Sequence, residues 1–352
     1  MAYTDIDKST EYFNTKLYTG TEVSGNSITG IGFQPDWIWI KNRTDATNHN
    51  LYDSVRGGNG TSHYFLKSNV TNVEGTNTSS LLTIDSDGFT LGDGNEVNGS
   101  GDNMVSWNWL AGGTASSNTD GSITSNVSAN TTSGFSIVSY TGNSTSGATV
   151  GHGLGVEPSF FVCKGRDIAK GWLCYHKSLG ATKGIILDET TDAGTTSIYF
   201  NNTAPTSSVF SMGNDDKLNQ SGNSYIAYCF AEKKGFSKFG SYTGNGSTDG
   251  PFIYTGFKPA FVIIKCTSTI TNWLMRDNKR DPFNESTTPL APNVTAGESS
   301  FSTSLNEVDI LSNGFKLRDS YVDQNQSGAT YIYMAFAENP FVTSTGIPAC
   351  AR

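Results

Sequence analysis

Three phrases return in the same order along this chain, which limits it to folds built from copies of one unit. Tyr18-Thr19-Gly20 returns as Tyr140-Thr141-Gly142 and Tyr242-Thr243-Gly244. A proline and an aromatic or aliphatic run follow: Gly32-Phe33-Gln34-Pro35-Asp36-Trp37-Ile38-Trp39-Ile40-Lys41. The counterparts are Gly155-Val156-Glu157-Pro158-Ser159-Phe160-Phe161-Val162-Cys163-Lys164 and Gly256-Phe257-Lys258-Pro259-Ala260-Phe261-Val262-Ile263-Ile264-Lys265. Each passage closes on a Ser-Gly pair, Ser100-Gly101, Ser221-Gly222 and Ser327-Gly328, followed by another apolar run. The tyrosines stand 122 and then 102 residues apart, the prolines 123 and 101, the Ser-Gly pairs 121 and 106. Order and spacing hold together, so one supersecondary unit is expected three times.

These landmarks divide the 352 residues. Residues 1–17 read as a lead-in or tether, and units span 18–112, 134–234 and 235–340. Residues 113–133 read as a flexible Gly/Ser/Thr/Asn-rich linker, which accounts for the longer first interval. Residues 341–352 form a tail. The local signal is strand throughout. Trp37 and Trp39 alternate with Ile38 and Ile40, and both sets are apolar, so that strand is expected to be covered on both faces. Met104–Trp109, Tyr225–Ala231 and Tyr331–Ala337 read as further central strands. Asp87-Gly88 and Asn313-Gly314 suit tight turns with positive φ, whereas the second unit carries Ser208-Val209 there and must turn differently. Only 36% of the chain is hydrophobic and 16% charged; Gly, Ser, Thr and Asn fill much of the rest and disfavour helix. The expected fold is all-β: three tandem antiparallel β-sandwich repeats of jelly-roll-like type.

A net charge of −9 repels phosphate backbones and argues against nucleic acid as a partner. No run approaches 18 apolar residues, so no membrane insertion is expected. The start lacks a basic flank with an apolar run, so no secretory signal is read there and synthesis in a cytoplasm, with retention there until assembly or lysis, is expected. Five cysteines are an odd number for a disulfide framework. Cys163 stands where the other units have Ile40 and Ile264, Cys174 where they have Leu51 and Met275, and Cys229 matches Ala335; all three read as small buried hydrophobes. Cys266 and Cys350 lack that support and are expected to be exposed.

Catalytic, metal and cofactor chemistry find no pattern. His49, His63, His152 and His176 have no metal-ligand spacing and read as hydrogen-bonded surface residues. His176 aligns with Asp53 and Asp277, and His49 with Trp172 and Trp273. A carbohydrase needs two carboxylates across a cleft. Asp53 and Asp277 recur in two units, as do Glu232 and Glu338, but Ala111 breaks the second set, so no triplicated catalytic site is expected. Asp85-Ser86-Asp87-Gly88 begins like a calcium loop without continuing as one, and reads as a hairpin turn. The Asn-x-Ser/Thr triplets, Asn69-Val70-Thr71 for example, follow from composition. Trp37, Trp172 and Trp273 read as core; sugar recognition would belong in the variable loops, of which 278–300 is the largest.

Several phrases together carry a resemblance. They are Met1–Thr10 with Phe13-Asn14-Thr15, Gly32–Arg43, Asp87-Gly88-Phe89 and Met334–Phe341, with Cys350 near the end. The chain resembles a family of bacteriophage structural proteins found in marine phages. That resemblance spans nearly the whole length and implies a virion appendage of tail-fibre or capsid-fibre type, with no catalytic residues to carry over. The expected role is a tail-fibre or receptor-binding subunit in host attachment. A capsid decoration, head-fibre or adaptor protein is the alternative, and a polysaccharide-degrading appendage enzyme a second. The expected partners are other virion proteins and a host surface glycan or receptor, with self-assembly as a homo-oligomer, a trimer by preference.

Overall fold

The computed structural model describes residues 3–300 and 307–348. The chain is all-β and its sheets are antiparallel. Twelve strands, four in each, form the part that the three large sheets share. They are β1 (Phe13–Thr19), β2 (Trp37–Asn42), β3 (Asn50–Asp53), β4 (Asn103–Trp109), β5 (Phe135–Thr141), β6 (Phe160–Gly165), β7 (Leu173–His176), β8 (Ser224–Phe230), β9 (Ser237–Thr243), β10 (Phe257–Cys266), β11 (Trp273–Asp277) and β12 (Thr330–Pro340). The order β1-β4-β2-β3 is matched by β5-β8-β6-β7 and by β9-β12-β10-β11. In each, the closing strand sits between the opening strand and the post-proline strand. A smaller sheet accompanies each large one: Asn26–Thr29, Gly88–Leu91 and Leu81–Asp85; Ala148–Gly151 with Val209–Met212; Phe252–Tyr254, Gly314–Leu317 and Val308–Leu311.

Two-residue alternation divides each large sheet between two cores. Ile38, Ile40 and Met104 face the first small sheet with Phe89 and Leu91. Phe161, Cys163, Tyr225, Ala227 and Cys229 do the same in the second unit, and Val262, Ile264, Tyr331, Tyr333 and Ala335 in the third. The opposite faces meet one another. Trp37, Trp39, Trp107 and Trp109 share a single cluster with Phe160, Val162, Tyr228, Phe230, Phe261, Ile263, Met334 and Phe336. All six residues of β2 and of β6 are buried, as strands apolar on both faces require. The equivalent rings Trp109, Phe230 and Phe336 touch pairwise, with centroids 5.6–6.4 Å apart. The three units therefore close around a common axis instead of lying in a row.

The recurring phrases have local causes. The hydroxyls of Tyr18, Tyr140 and Tyr242 donate to the carbonyls of Val97, Leu218 and Gln324 at 2.7–2.8 Å. A Cβ on Gly20, Gly142 or Gly244 would fall 2.1–2.4 Å from the carbonyl oxygens of Gly99, Gln220 and Gln326. Each Tyr-Thr-Gly thus seals its first strand against the turn that enters its last one. The glycines of the Ser-Gly pairs sit at φ +77°, +83° and +76°, the left-handed region that only glycine occupies without strain.

Several expectations need correction. The 113–133 linker is not flexible chain: Ser116–Asn118 and Ser125–Asn130 are strands that widen the second large sheet on the β5 side. Their composition is polar, but Ser125 and Val127 turn inward and the ladder satisfies the backbone. The first unit begins before residue 18, because β1 starts at Phe13. The rest of the lead-in is docked: Ile6 is buried in the central cluster, and Asp5 N–H donates to Lys234 O at 3.1 Å. The hairpin loops are Ser86-Asp87 and Ser312-Asn313, one step earlier than expected, and Gly88 and Gly314 open the return strands. Close approach demands those glycines, since a Cβ would lie 1.9 and 2.1 Å from the carbonyl oxygens of Ile28 and Ile253. Cys266 is buried in the third sandwich, on the same inward face as Ile264. Cys163, Cys174 and Cys229 are buried free thiols; Cys350 lies outside the described residues.

Candidate functional site

The side chains with unusual chemistry gather where one unit meets the next. Lys41, Lys164 and Lys265 stand one residue before the ends of β2, β6 and β10, and all three are buried. Each ammonium donates to carbonyls of its own unit and of a neighbour. Lys41 reaches Asp45 O, Thr47 O and, in the third unit, Thr295 O, all at 3.0 Å. Lys164 reaches Lys170 O at 2.7 Å and Thr71 O of the first unit at 2.8 Å. Lys265 reaches Thr271 O at 2.6 Å and Thr190 O of the second unit at 2.9 Å. Burial pulls each down to about 8, which leaves the group charged at neutral pH. The contacts run first to third, second to first, third to second, and so close a ring.

Backbone bonds repeat that circulation. Glu298 N–H donates to Arg43 O at 2.9 Å, Glu74 N–H to Arg166 O at 2.7 Å, and Ala193 N–H to Thr267 O at 3.1 Å. Trp172 Nε1 donates to Lys67 O at 2.9 Å and Trp273 Nε1 to Ile186 O at 3.0 Å. In the first unit His49 takes the tryptophan's place and accepts from Trp39 Nε1 at 3.0 Å.

The side chains beside these bonds differ between interfaces. Where the second unit meets the first, Asp53 pairs with Arg56 and accepts from Tyr228 OH at 2.7 Å, while Arg166 holds Glu74 through two bonds of 2.9 Å. Where the first meets the third, Asp277 pairs with Arg280 and accepts from Trp107 Nε1 at 3.0 Å. There Glu298 accepts from Arg43 Nε at 2.7 Å and Arg280 Nη1 at 2.9 Å. Where the third meets the second, the same positions carry His176, Leu179, Ala193 and Thr267, with Met334 opposite in place of Tyr228 or Trp107. Burial pushes His176 down to about 4, so it is a neutral imidazole. Its Nδ1 accepts from Ser178 N–H at 3.1 Å, and its Nε2 faces Tyr333 O at 3.2 Å. At the buried carboxylate–arginine position two interfaces are ionic and one is neutral, although Glu232 and Lys238 still pair between the second and third units nearer the surface, at 2.6 Å.

The neutral interface is open. A cleft of about 530 Å³ lies between Ser178, Leu179, Lys183, Asp192 and Ala193 on one side and β9, Thr267, Ser268 and the start of β12 on the other. A second depression, about 830 Å³, surrounds Asp36, His63 and the Leu110–Ala115 segment. Asp36 is committed there as a cap: it accepts from Ala111 N–H at 2.8 Å and Ser54 Oγ at 2.8 Å.

The chain belongs to the DUF7483 family. The family is a domain of unknown function, and its match covers residues 8–340. No curated protein and no solved structure matches the chain.

In this DUF7483 domain each candidate residue has a definite place. Trp37, Trp172 and Trp273 are core. The histidines were expected at the surface; His49, His152 and His176 are instead buried and His63 half-buried, all with pKa lowered by burial. Nδ1 of His49 and both ring nitrogens of His152 and His176 meet internal partners, which polar surroundings in the sequence do not reveal. Asp53 and Asp277 lie in different interfaces, each neutralised by its arginine. Glu232 bridges Lys177 and Lys238, and Glu338 pairs with Lys258. The 278–300 excursion is not a free recognition loop: Thr295 and Glu298 bind the first unit, and Ser68 Oγ donates to Pro292 O at 2.7 Å. Asp85-Ser86-Asp87-Gly88 is a hairpin turn whose Asp87 carboxylate accepts from Gly30 and Gly32 N–H.

Sequence reasoning passed over two sets of residues. The lysines carried a signal, a cation closing each doubly apolar run. So did Asn98, Asn219 and Asn325, each two positions before a Ser-Gly pair. Their side-chain amides donate to Gly92 O, Gly213 O and Asp319 O at 2.6–2.7 Å and accept from Thr21, Asn143 and Asn245 N–H at 2.9 Å.

Proposed function

We propose that this chain is a structural protein of a bacteriophage virion, a subunit of a tail fibre or other receptor-binding appendage that acts in host attachment. One observation carries this. The polar residues that recur between units, the lysines, aspartates, asparagines and tyrosines, are all engaged in holding the units closed and shut. Even Tyr242 and Tyr331, which border the cleft between the second and third units, spend their hydroxyls on Gln324 O and Val322 O. What remains to differ is the outer loops and the places where one copy departs from the others, which suits a rigid body that presents surface. The phrase-level resemblance to phage appendage proteins points the same way, and the charge of −9 suits partners other than nucleic acid. The partners are other virion proteins and a glycan or receptor on the host envelope.

Immunogold labelling of intact particles and adsorption competition test it together. Label at the tail, with purified chain slowing adsorption to host cells, is the expected result. Label confined to the head shell would replace attachment by a capsid-decoration role, and absence from the particle would overturn the virion assignment. Light scattering addresses assembly: three chain masses are expected at micromolar concentration, and a single chain mass would remove the homotrimer.

A further inference from the structure

We infer that the cleft between the second and third units is a saccharide-binding site, formed because one of three equivalent interfaces has lost its ionic filling. The inference rests on the attachment role proposed above and names its ligand class and place.

The backbone bonds across the three interfaces are the same, Glu298 to Arg43, Glu74 to Arg166 and Ala193 to Thr267. The strands are therefore set alike, and the difference lies in side-chain volume. In the second unit the Arg166 guanidinium lies across its own sheet, with Nη1 3.4 Å from Ser139 Oγ, and grips Glu74 of the first unit. The third unit has Thr267 in place of Arg166 and Ser241 in place of Ser139, by register opposite Ile332 and Ile226. The second unit offers Ala193 in place of Glu74. An arginine and a glutamate are thus missing from the space they fill elsewhere, and Ser241 is exposed where Ser139 is half-covered. The result is a cleft of about 530 Å³, within the range of about 300–1,000 Å³ usual for small-molecule sites.

Its chemistry selects the ligand. Hydroxyls of Ser241, Thr267, Ser268 and Thr330 line the third-unit side. A hydroxyl both donates and accepts, which matches the hydroxyls of a sugar ring. Thr267 Oγ1 lies 2.8 Å from Thr330 Oγ1, and Ser268 Oγ accepts from Thr330 N–H at 3.0 Å, so the group is held in place before any ligand arrives. Leu179, half-buried on the second-unit side, supplies apolar surface for the C–H face of a ring. Lys183 and Asp192 contribute one charge of each sign, which favours a neutral saccharide over a phosphate or a polyanion.

The test uses the full chain and neutral hexose mono- and disaccharides, read by saturation-transfer NMR and titration. Wild-type protein is expected to bind at least one of them. The double variant Ala193→Glu/Thr267→Arg rebuilds the pair found at the other two interfaces. It is expected to weaken binding at least tenfold with the thermal midpoint unchanged or raised. Ser241→Arg, a change at an exposed position, blocks the same space without touching the interface and is expected to do likewise. Binding that survives both substitutions, or no binding by wild type, overturns the site. The attachment role is judged separately: tail labelling without saccharide binding removes this inference alone, whereas absence of the chain from the particle removes the role on which it rests.

Discussion

The ionic interfaces and the neutral one solve a single residue-level problem in two ways. A carboxylate at the end of β3 or β11 is buried, so it needs a cation and donors; Arg56 or Arg280 supplies the first, and Tyr228 or Trp107 comes from the adjoining unit. In β7 the facing residue is Met334, which cannot donate, and a buried carboxylate there would be orphaned. His176, neutral by burial, takes its place and Leu179 replaces the arginine. Breaking a buried pair by removing one partner typically costs about 3–5 kcal/mol. Asp53→Ala is expected to cost that much in urea denaturation. The triple change Asp53→His/Arg56→Leu/Tyr228→Met, which copies the neutral set, is expected to cost less than the single one; a larger loss would show that the sets are not interchangeable. His176 also makes a pH prediction. Its folded pKa of about 4 lies below an unfolded value near 6.5. Between those values the unfolded chain therefore holds more protons, and stability falls as pH drops from about 6.5 to 4. His176→Asn keeps an acceptor for Ser178 N–H and removes the titration. Its thermal midpoint is expected to fall less steeply over that window than that of the wild type.

At the scale of strands and turns, much was legible in the sequence, and the limits were physical. The doubly apolar runs announced strands covered on both faces because period-two alternation of two apolar sets has few other uses. Paired Tyr-Thr-Gly and Ser-Gly phrases marked the first strand and the turn before the last, and the structure joins them through tyrosine hydroxyls and asparagine amides. Polar strands were the failure. Ser116–Asn118 and Ser125–Asn130 read as linker because edge pairing is a backbone property, and serine and asparagine advertise turns as readily as they tolerate a ladder. The ring of interfaces was equally invisible: the acceptors of Lys41, Lys164 and Lys265 are carbonyls of Thr295, Thr71 and Thr190, which any residue type would supply. The hairpin glycines were read correctly as necessary: Gly88 has the positive φ expected of it, +154°, whereas Gly314 answers to the close approach of a neighbouring strand. Gly88 and Gly314 give a test: replacing either by alanine forces a Cβ into a carbonyl oxygen of the neighbouring strand. A loss of about 2–3 kcal/mol is expected, at the upper end of ordinary point-mutant effects. Gly101→Ala, at a positive φ but with no atom within 4 Å of the added Cβ, is expected to lose only about 1 kcal/mol.

The whole molecule is held by one cluster to which every unit contributes, and this decides how it must unfold. Each unit has its own sandwich core, so three independent transitions would be the natural expectation for beads on a string. Here the inner face of each large sheet, from Trp37 and Trp109 to Phe230 and Phe336, packs against the other two, with Ile6 of the lead-in in the same cluster. A unit taken alone would expose that aromatic face, and Lys164 and Lys265 would each lose the acceptor the neighbouring unit supplies, Thr71 O and Thr190 O. Truncating a buried aromatic costs about 3–5 kcal/mol, and the rings of Trp109, Phe230 and Phe336 each touch the other two units at once. Phe230→Ala is therefore expected to lower the melting temperature of the chain as a whole, in a single calorimetric transition with equal calorimetric and van't Hoff enthalpies. A second unit expressed alone with its two added edge strands, residues 113–234, is expected to show no cooperative melt by circular dichroism. Three resolved transitions in the intact chain, or a sharp melt from the isolated segment, would mean that the sandwiches stand by themselves and that the axis cluster adds contact without coupling.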